Sequence, residues 1–166
     1  LALLMRSGRL RRQPVYVGGL GRVFTEIYDL QSHRTHRQQR DLQLHEALDL
    51  IVFDRPQQQR LRLQGGRLFV LTSGMMVENT PAHDLALRLM GDERHAILFV
   101  GYADPETPGG RLKASTAGVP FAFSRLAPEV IRHCEVGDFD LTAHANREEL
   151  VAFVEEVNPR AVVLGH

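Results

Sequence analysis

Two histidines in this 166-residue sequence stand where reactive groups are commonly found. His144 lies in the run Asp138-Phe139-Asp140-Leu141-Thr142-Ala143-His144-Ala145-Asn146, just ahead of a helix pattern whose positive end disfavours the imidazolium form. His166 ends a buried-type strand, a common place for a metal ligand or a catalytic group. By spacing alone, the commoner reading of each is structural. Three further segments could receive a phosphate. Gly18-Gly19-Leu20-Gly21 joins a strand to a helix, and such glycines let backbone amides approach an anion. Phe24 occupies the third glycine position of the dinucleotide fingerprint, so a tight turn is the simpler reading. Thr72-Ser73-Gly74-Met75-Met76 pairs hydroxyls with a permissive glycine, and reads equally as an ordinary loop with core methionines. In residues 101–112, Arg111 sits in a glycine-rich loop and could meet a phosphate or simply face solvent. The other six histidines assemble no metal motif, since neither H-x-H-x-D-H nor H-E-x-x-H occurs.

The elements that must carry these residues alternate apolar runs with helical periodicity. Strands are predicted at residues 14–17, 50–53, 67–72, 96–100, 130–136 and 161–164. Leu20, Val23, Phe24, Ile27 and Tyr28 form one helical stripe. Residues 31–48 read as a polar, basic loop followed by helix, and residues 56–63 as a helical turn or two. Thr80 caps a helix with Pro81 at its first position, running to about Met90 with Leu85, Ala86 and Leu89 facing inward. Residues 103–120 read as loop. Asn146 and Glu149 have capping-box spacing ahead of the stripe Leu150, Phe153, Val154 and Val157, and Asn158-Pro159 stops that helix. Apolar strands separated by helices predict an α/β fold with a mostly parallel, doubly wound sheet, whose ligands bind beyond the carboxyl ends of the strands.

Composition sets the bounds. With 43% hydrophobic and 24% charged residues the chain can build one ordinary core. The single cysteine, Cys134, excludes an internal disulfide framework and an all-thiolate zinc cluster. No apolar run approaches the ~18 residues of a membrane span, so a soluble, cytoplasmic chain is expected. Zero net charge conceals an asymmetry: residues 1–67 hold 12 Arg against 6 Asp and Glu, and residues 68–166 hold 8 Lys and Arg against 14 Asp and Glu. A basic half hints at a polyanionic partner, or reflects an Arg-rich composition spread over solvated faces. The chain opens inside a helix pattern and stops directly after a strand pattern, so it reads as a fragment of a longer protein.

Taken in order, PVYVGGLG, RLFVLTSGMM, PAHDLALRLM, HAILFVGYADPETPGGRL and DFDLTAHANREELVAFVEEVNPRAVVLGH resemble the β-CASP branch of the metallo-β-lactamase-fold nucleases. That branch includes RNase J and the endonuclease of mRNA 3′-end cleavage and polyadenylation. The resemblance implies a β-CASP domain over residues 1–136. Residues 137–166 would be a strand-helix-strand return into a metallo-β-lactamase core. It further implies His144 as the proton-transferring or oxyanion-stabilising catalytic histidine, His166 as a zinc ligand, and Ser73, Gly74, Thr107, Gly109 and Arg111 as residues lining the RNA cleft. The implied reaction is phosphodiester hydrolysis of single-stranded RNA with two zinc ions, exonucleolytic or endonucleolytic. The H-x-H-x-D-H ligands are missing from the chain, so alone it is expected to be inactive; a severed sheet edge and an uncovered apolar face are expected to make it self-associate as a homo-oligomer. The sequence departs from the family where Gly18-Gly19-Leu20 replaces Asp-Ser-Pro, where Ser73-Gly74-Met75-Met76 lacks the later glycine pair, and where Asn146 replaces an aspartate. Two other readings stay open: a non-catalytic β-CASP scaffold that binds RNA or a protein, and a nucleotide-binding domain using the 18–21 turn.

Overall fold

The computed structural model describes residues 1–34, 36–37, 39–63, 65–72, 74–139, 141 and 145–163. Ser73, His144 and His166, and the last residue of the strand predicted at 161–164, lie outside them.

The chain folds as α/β with parallel sheets. The first sheet has β1 (Val15–Gly18) at its centre, between β2 (Leu50–Val52) and β3 (Leu68–Leu71), both parallel to it. Alternation along β1 sends Val15 and Val17 to one face and Tyr16 to the other, and all three are buried. On the first face Val15 and Val17 pack with Ala2 and Met5 of α1 (Ala2–Arg6), and with Leu42 and Leu48 around α3 (Leu44–Ala47). On the other, Tyr16 stacks on Phe69 with ring centroids 4.9 Å apart and meets Phe53 edge-on, against Leu61 and Leu85. Burial on both faces is what a doubly wound parallel strand requires.

A second parallel pair joins β4 (Ala96–Val100) to β7 (Glu135–Phe139), with Ala96 beside Glu135. Thus the parallel strands form two sheets rather than one. One face of the pair is covered by the largest core cluster. It brings together Ala82 and Ala86 of α5 (Pro81–Leu89) with Met90, Ile97, Leu112, Phe123 and Cys134. Thr80 accepts from the His83 amide and Pro81 stands at the first helical position, as the sequence indicates. Leu85 and Ala86 are buried and Leu89 is half-buried.

Three expectations change. The run 103–120 is not all loop: it contains α6 (Pro108–Lys113), capped by Thr107, whose glycines have poor helix propensity and hide it from periodicity. The strand expected at 130–136 is two strands. Val130–Ile131 (β6) pairs antiparallel with Pro120–Phe121 (β5), and β7 starts only at Glu135. Between them the His133 and Cys134 amides both donate to the Met90 carbonyl, at 2.8 and 3.0 Å, which takes them out of any ladder. Residues 161–163 form no strand.

Two amphipathic stripes are exposed rather than buried. In α2 (Leu20–Leu30), Leu20 and Phe24 are each 62% exposed and Ile27 47%. In α7 (Arg147–Val157), Leu150, Phe153 and Val157 are exposed as well. The six-residue helix α4 (Arg55–Arg60) completes the set, its first turn capped by Asp54, which accepts from the Gln57 amide at 2.9 Å.

Candidate active site

The carboxyl ends of β1, β3 and β4 each run into one of the three glycine-bearing loops. The structure interlocks those loops through close backbone approaches. After β1, Gly19 adopts φ +62°, and a Cβ there would fall on the Thr72 hydroxyl. The Leu20 amide, first in α2, donates to that hydroxyl at 3.0 Å. The turn is therefore filled by a protein side chain, and the amide that an anion would take is already used. That removes the main support for a nucleotide site at residues 18–21.

After β3, Met75 and Met76 both hold positive φ (55° and 58°), a conformation that costs a non-glycine residue roughly 1–3 kcal/mol and needs support from its surroundings. The support is α6. A Cβ on Gly109 would lie 2.9 Å from the Met75 carbonyl oxygen, so only glycine lets α6 sit against the 74–76 turn. Met76 is anchored in the large core cluster.

After β4, Gly101 takes φ +126° and the chain turns back at Asp104. The Thr107 hydroxyl donates to the Asp104 carbonyl at 2.6 Å and accepts from the Gly110 amide at 3.2 Å. A Cβ on Gly110 would overlap the Asp104 carbonyl, which fixes the second glycine of the pair. Arg111 donates to the Phe123 carbonyl. Lys113, the single lysine of the chain, pairs with Asp138 of β7 at 2.9 Å and ties α6 to the strand that leads toward His144.

Thus Gly74, Thr107 and Gly109 meet in one interlocked group of loops, with Arg111 on the same helix as Gly109. Ser73 and the two histidines, His144 and His166, fall outside the described residues. What flanks His144 is clear. Asp138 and Phe139 end β7, and Asn146 caps α7. The Asn146 amide donates to Glu149 Oε2 and the Glu149 amide to Asn146 Oδ1, both at 2.8 Å. The side chain of Asn146 is thereby committed to the helix start, a role in which Asn and Asp are equivalent. Reasoning from the sequence put Thr72 in a possible anion cradle and missed its contact with the 18–21 turn, and it passed over the Lys113–Asp138 pair. The signal for Thr72 was present, a hydroxyl at a strand end facing a Gly-Gly turn. The ion pair spans 25 positions and leaves no local signature.

Among the described residues no group of three or more His, Cys, Asp or Glu is placed to hold a metal ion. Cys134 is buried and is a core residue. Burial pushes its thiol above the ordinary range, outweighing the Arg132 guanidinium nearby. Among the described residues no helix is long and apolar enough to cross a membrane.

Parallel sheets with interlocked loops at their carboxyl ends define an α/β domain of the kind that binds a ligand across strand ends. Comparison with known proteins gives the family. Residues 1–112 match the Beta-Casp domain, and residues 129–166 match the Zn-dependent metallo-hydrolase RNA specificity domain. The chain belongs to the β-CASP family of metallo-β-lactamase-fold nucleases. Among its relatives, the transcription termination factor FttA of Pyrococcus abyssi is 28% identical over 156 residues, covering 93% of this chain and 21% of the relative. The endoribonuclease YSH1 of Candida glabrata is 30% identical over 103 residues, covering 61% and 13%. The probable RNase MJ4 of Methanocaldococcus jannaschii is 23% identical over 158 residues, covering 92% and 35%. The chain spans between about an eighth and about a third of the length of these relatives.

Proposed function

We propose that the full-length protein is a zinc-dependent ribonuclease that hydrolyses phosphodiesters of single-stranded RNA in the cytoplasm. In this reading residues 1–136 are its β-CASP domain and residues 137–166 its return into the metallo-β-lactamase core. The observation that carries it is the succession of two matched domains, Beta-Casp and then the RNA specificity domain, along one chain whose strand-end loops interlock. Relatives named as an endoribonuclease and a probable RNase agree with it.

His144, between β7 and the capped start of α7, would hold or move a proton at the scissile phosphate. Ser73, Gly74, Thr107, Gly109 and Arg111 would line the RNA cleft, the last through whatever part of its guanidinium fork the Phe123 carbonyl leaves free. His166 would be one zinc ligand. Zinc supplies an activated water and neutralises developing charge. The chain carries no H-x-H-x-D-H ligand set, so alone it is expected to be inactive. Its exposed α2 and α7 stripes would make it self-associate.

RNA hydrolysis by the full-length gene product, with and without a chelator, tests the reading. Cleavage should stop on chelation and return with zinc, and His144→Ala should not cleave. Chelator-insensitive cleavage, or an active His144→Ala protein, contradicts it. RNA binding without any cleavage by the full-length protein would instead select a non-catalytic scaffold.

A further inference from the structure

The amino ends of the first sheet form a surface that the proposed chemistry does not use. Because the three strands are parallel, the segments that enter them meet along one edge: the Val15 amide bonds the Asp49 carbonyl at 2.9 Å, and the Leu68 amide bonds the Pro14 carbonyl at 3.1 Å. This edge lies one strand length from the interlocked loops, ~13 Å for four residues at ~3.3 Å each.

The edge is rich in arginine. Arg9, Arg11 and Arg12 precede β1, and Arg62 and Arg67 precede β3, while Asp41, Glu46 and Asp49 are acidic residues lining the clefts that Arg12 enters. Arg6 is already taken, donating to Asp41 at 3.2 Å and to Gln39 at 2.8 Å. The side chains of Arg9, Arg11 and Arg62 are exposed and make no hydrogen bond or ion pair with any described residue. Arg12 reaches only the Glu46 carbonyl, at 3.5 Å.

The same edge is concave. Arg12, Gln13, His45 and Asp49 line an open cleft of about 490 Å³, and Arg12 also lines a neighbouring one of about 260 Å³. His45, in the larger cleft, has its Nδ1 held 2.7 Å from Asp29 Oδ2. The larger cleft is lined by one arginine, Arg12, and Arg9 and Arg11 stand exposed just before it in the chain; their guanidinium forks suit phosphates.

We propose that this edge, through Arg9, Arg11 and Arg12, binds the phosphate backbone of single-stranded RNA outside the catalytic cleft. It would act as a second contact that favours long substrates. The inference rests on the RNA-nuclease reading. Unpartnered arginines beside a polar cleft give a salt-sensitive, sequence-independent affinity, because each neutralised phosphate releases condensed counterions.

The test uses the full-length protein and the triple variant Arg9→Gln/Arg11→Gln/Arg12→Gln. All three positions are exposed, and a thermal melt verifies folding. Binding is read by fluorescence anisotropy on a 6-nucleotide and a 30-nucleotide RNA across a salt series. The expected result is about a tenfold or greater loss on the 30-mer, with little change on the 6-mer. The salt slope on the 30-mer should fall by about 2, at ~0.7 per single-strand phosphate contact. A variant equal to wild type on the 30-mer overturns the inference while leaving the nuclease reading intact. An equal loss on both lengths also overturns it, since the arginines would then belong to the cleft or to folding. Loss of binding to an acidic protein partner, with RNA binding unchanged, overturns it as well. Failure of the wild type to bind RNA at all removes the nuclease reading first.

Discussion

Helices α5 and α7 carry much the same sequence grammar and end in opposite situations. Each begins at a good capping residue, Thr80 or Asn146, and each has an apolar stripe at helical spacing. Leu85 of α5 is 3% exposed, packed with Tyr16, Phe53 and Leu61 on one face of the first sheet. Phe153 of α7 is 62% exposed, and no residue of α7 is buried. Amphipathic spacing shows that a helix has a face to cover. It does not show that the cover lies in the same stretch of chain. Helix α2 repeats the lesson, and so does the outer face of the β4–β7 pair, where Leu98 and Val100 of β4 and Phe139 of β7 stand more than half exposed or close to it.

The contrast can be broken by mutation, and the largest effect belongs to the packed region. Met90 is fully buried in the cluster between α5 and β4, so Met90→Ala should destabilise this chain by about 3 kcal/mol in urea unfolding. A cost near zero would mean that the α5 region is no better packed than α7.

Asp29 comes next. Burial raises its carboxyl, but hydrogen bonds from the Leu44 and His45 amides and from the His45 ring outweigh that and bring it below the ordinary 3.8. A carboxylate held low in the folded state adds stability above its unfolded value, and that stability is lost as pH falls through the folded one. Asp29→Ala should therefore cost about 2 kcal/mol at pH 7, and the gap to wild type should narrow on acidification to about pH 3. A gap that widens in acid would contradict the assignment.

The capping box of α7 gives a smaller effect. Asn146→Ala should lower stability by about 1 kcal/mol. The far-ultraviolet circular dichroism of the melt reports it. Last is Phe153→Ala, which should stay within about 0.5 kcal/mol in this chain. The same substitution in the full-length protein should cost several times more if the rest of the polypeptide covers α7, and equal costs would rule that cover out.

Much of the fold was legible, and the failures share a cause. The three strands of the first sheet, the Thr80–Pro81 helix start and the Asn146–Glu149 box are local patterns, and each lies where the sequence indicates. Helix α6 was hidden because its defining glycines are dictated by distant backbone, the Met75 and Asp104 carbonyls, and not by helix propensity. The break at residues 132–134 likewise depends on Met90, more than 40 positions away. In the candidate site, the loops were legible as glycine-bearing strand ends, whereas the contacts that lock them together, Thr72 on Leu20 and Lys113 on Asp138, are long-range and leave no spacing to read. The family itself was legible from ordered motifs.

The central claim gives the two histidines different work, His166 holding metal and His144 handling the proton. Zinc content of the purified full-length protein, measured beside RNA cleavage for His144→Ala and His166→Ala, tests this most directly. The account predicts that His144→Ala keeps its zinc and does not cleave, whereas His166→Ala loses zinc and activity together. Wild-type zinc in His166→Ala, or a His144→Ala protein that sheds its metal to the same extent, would contradict it.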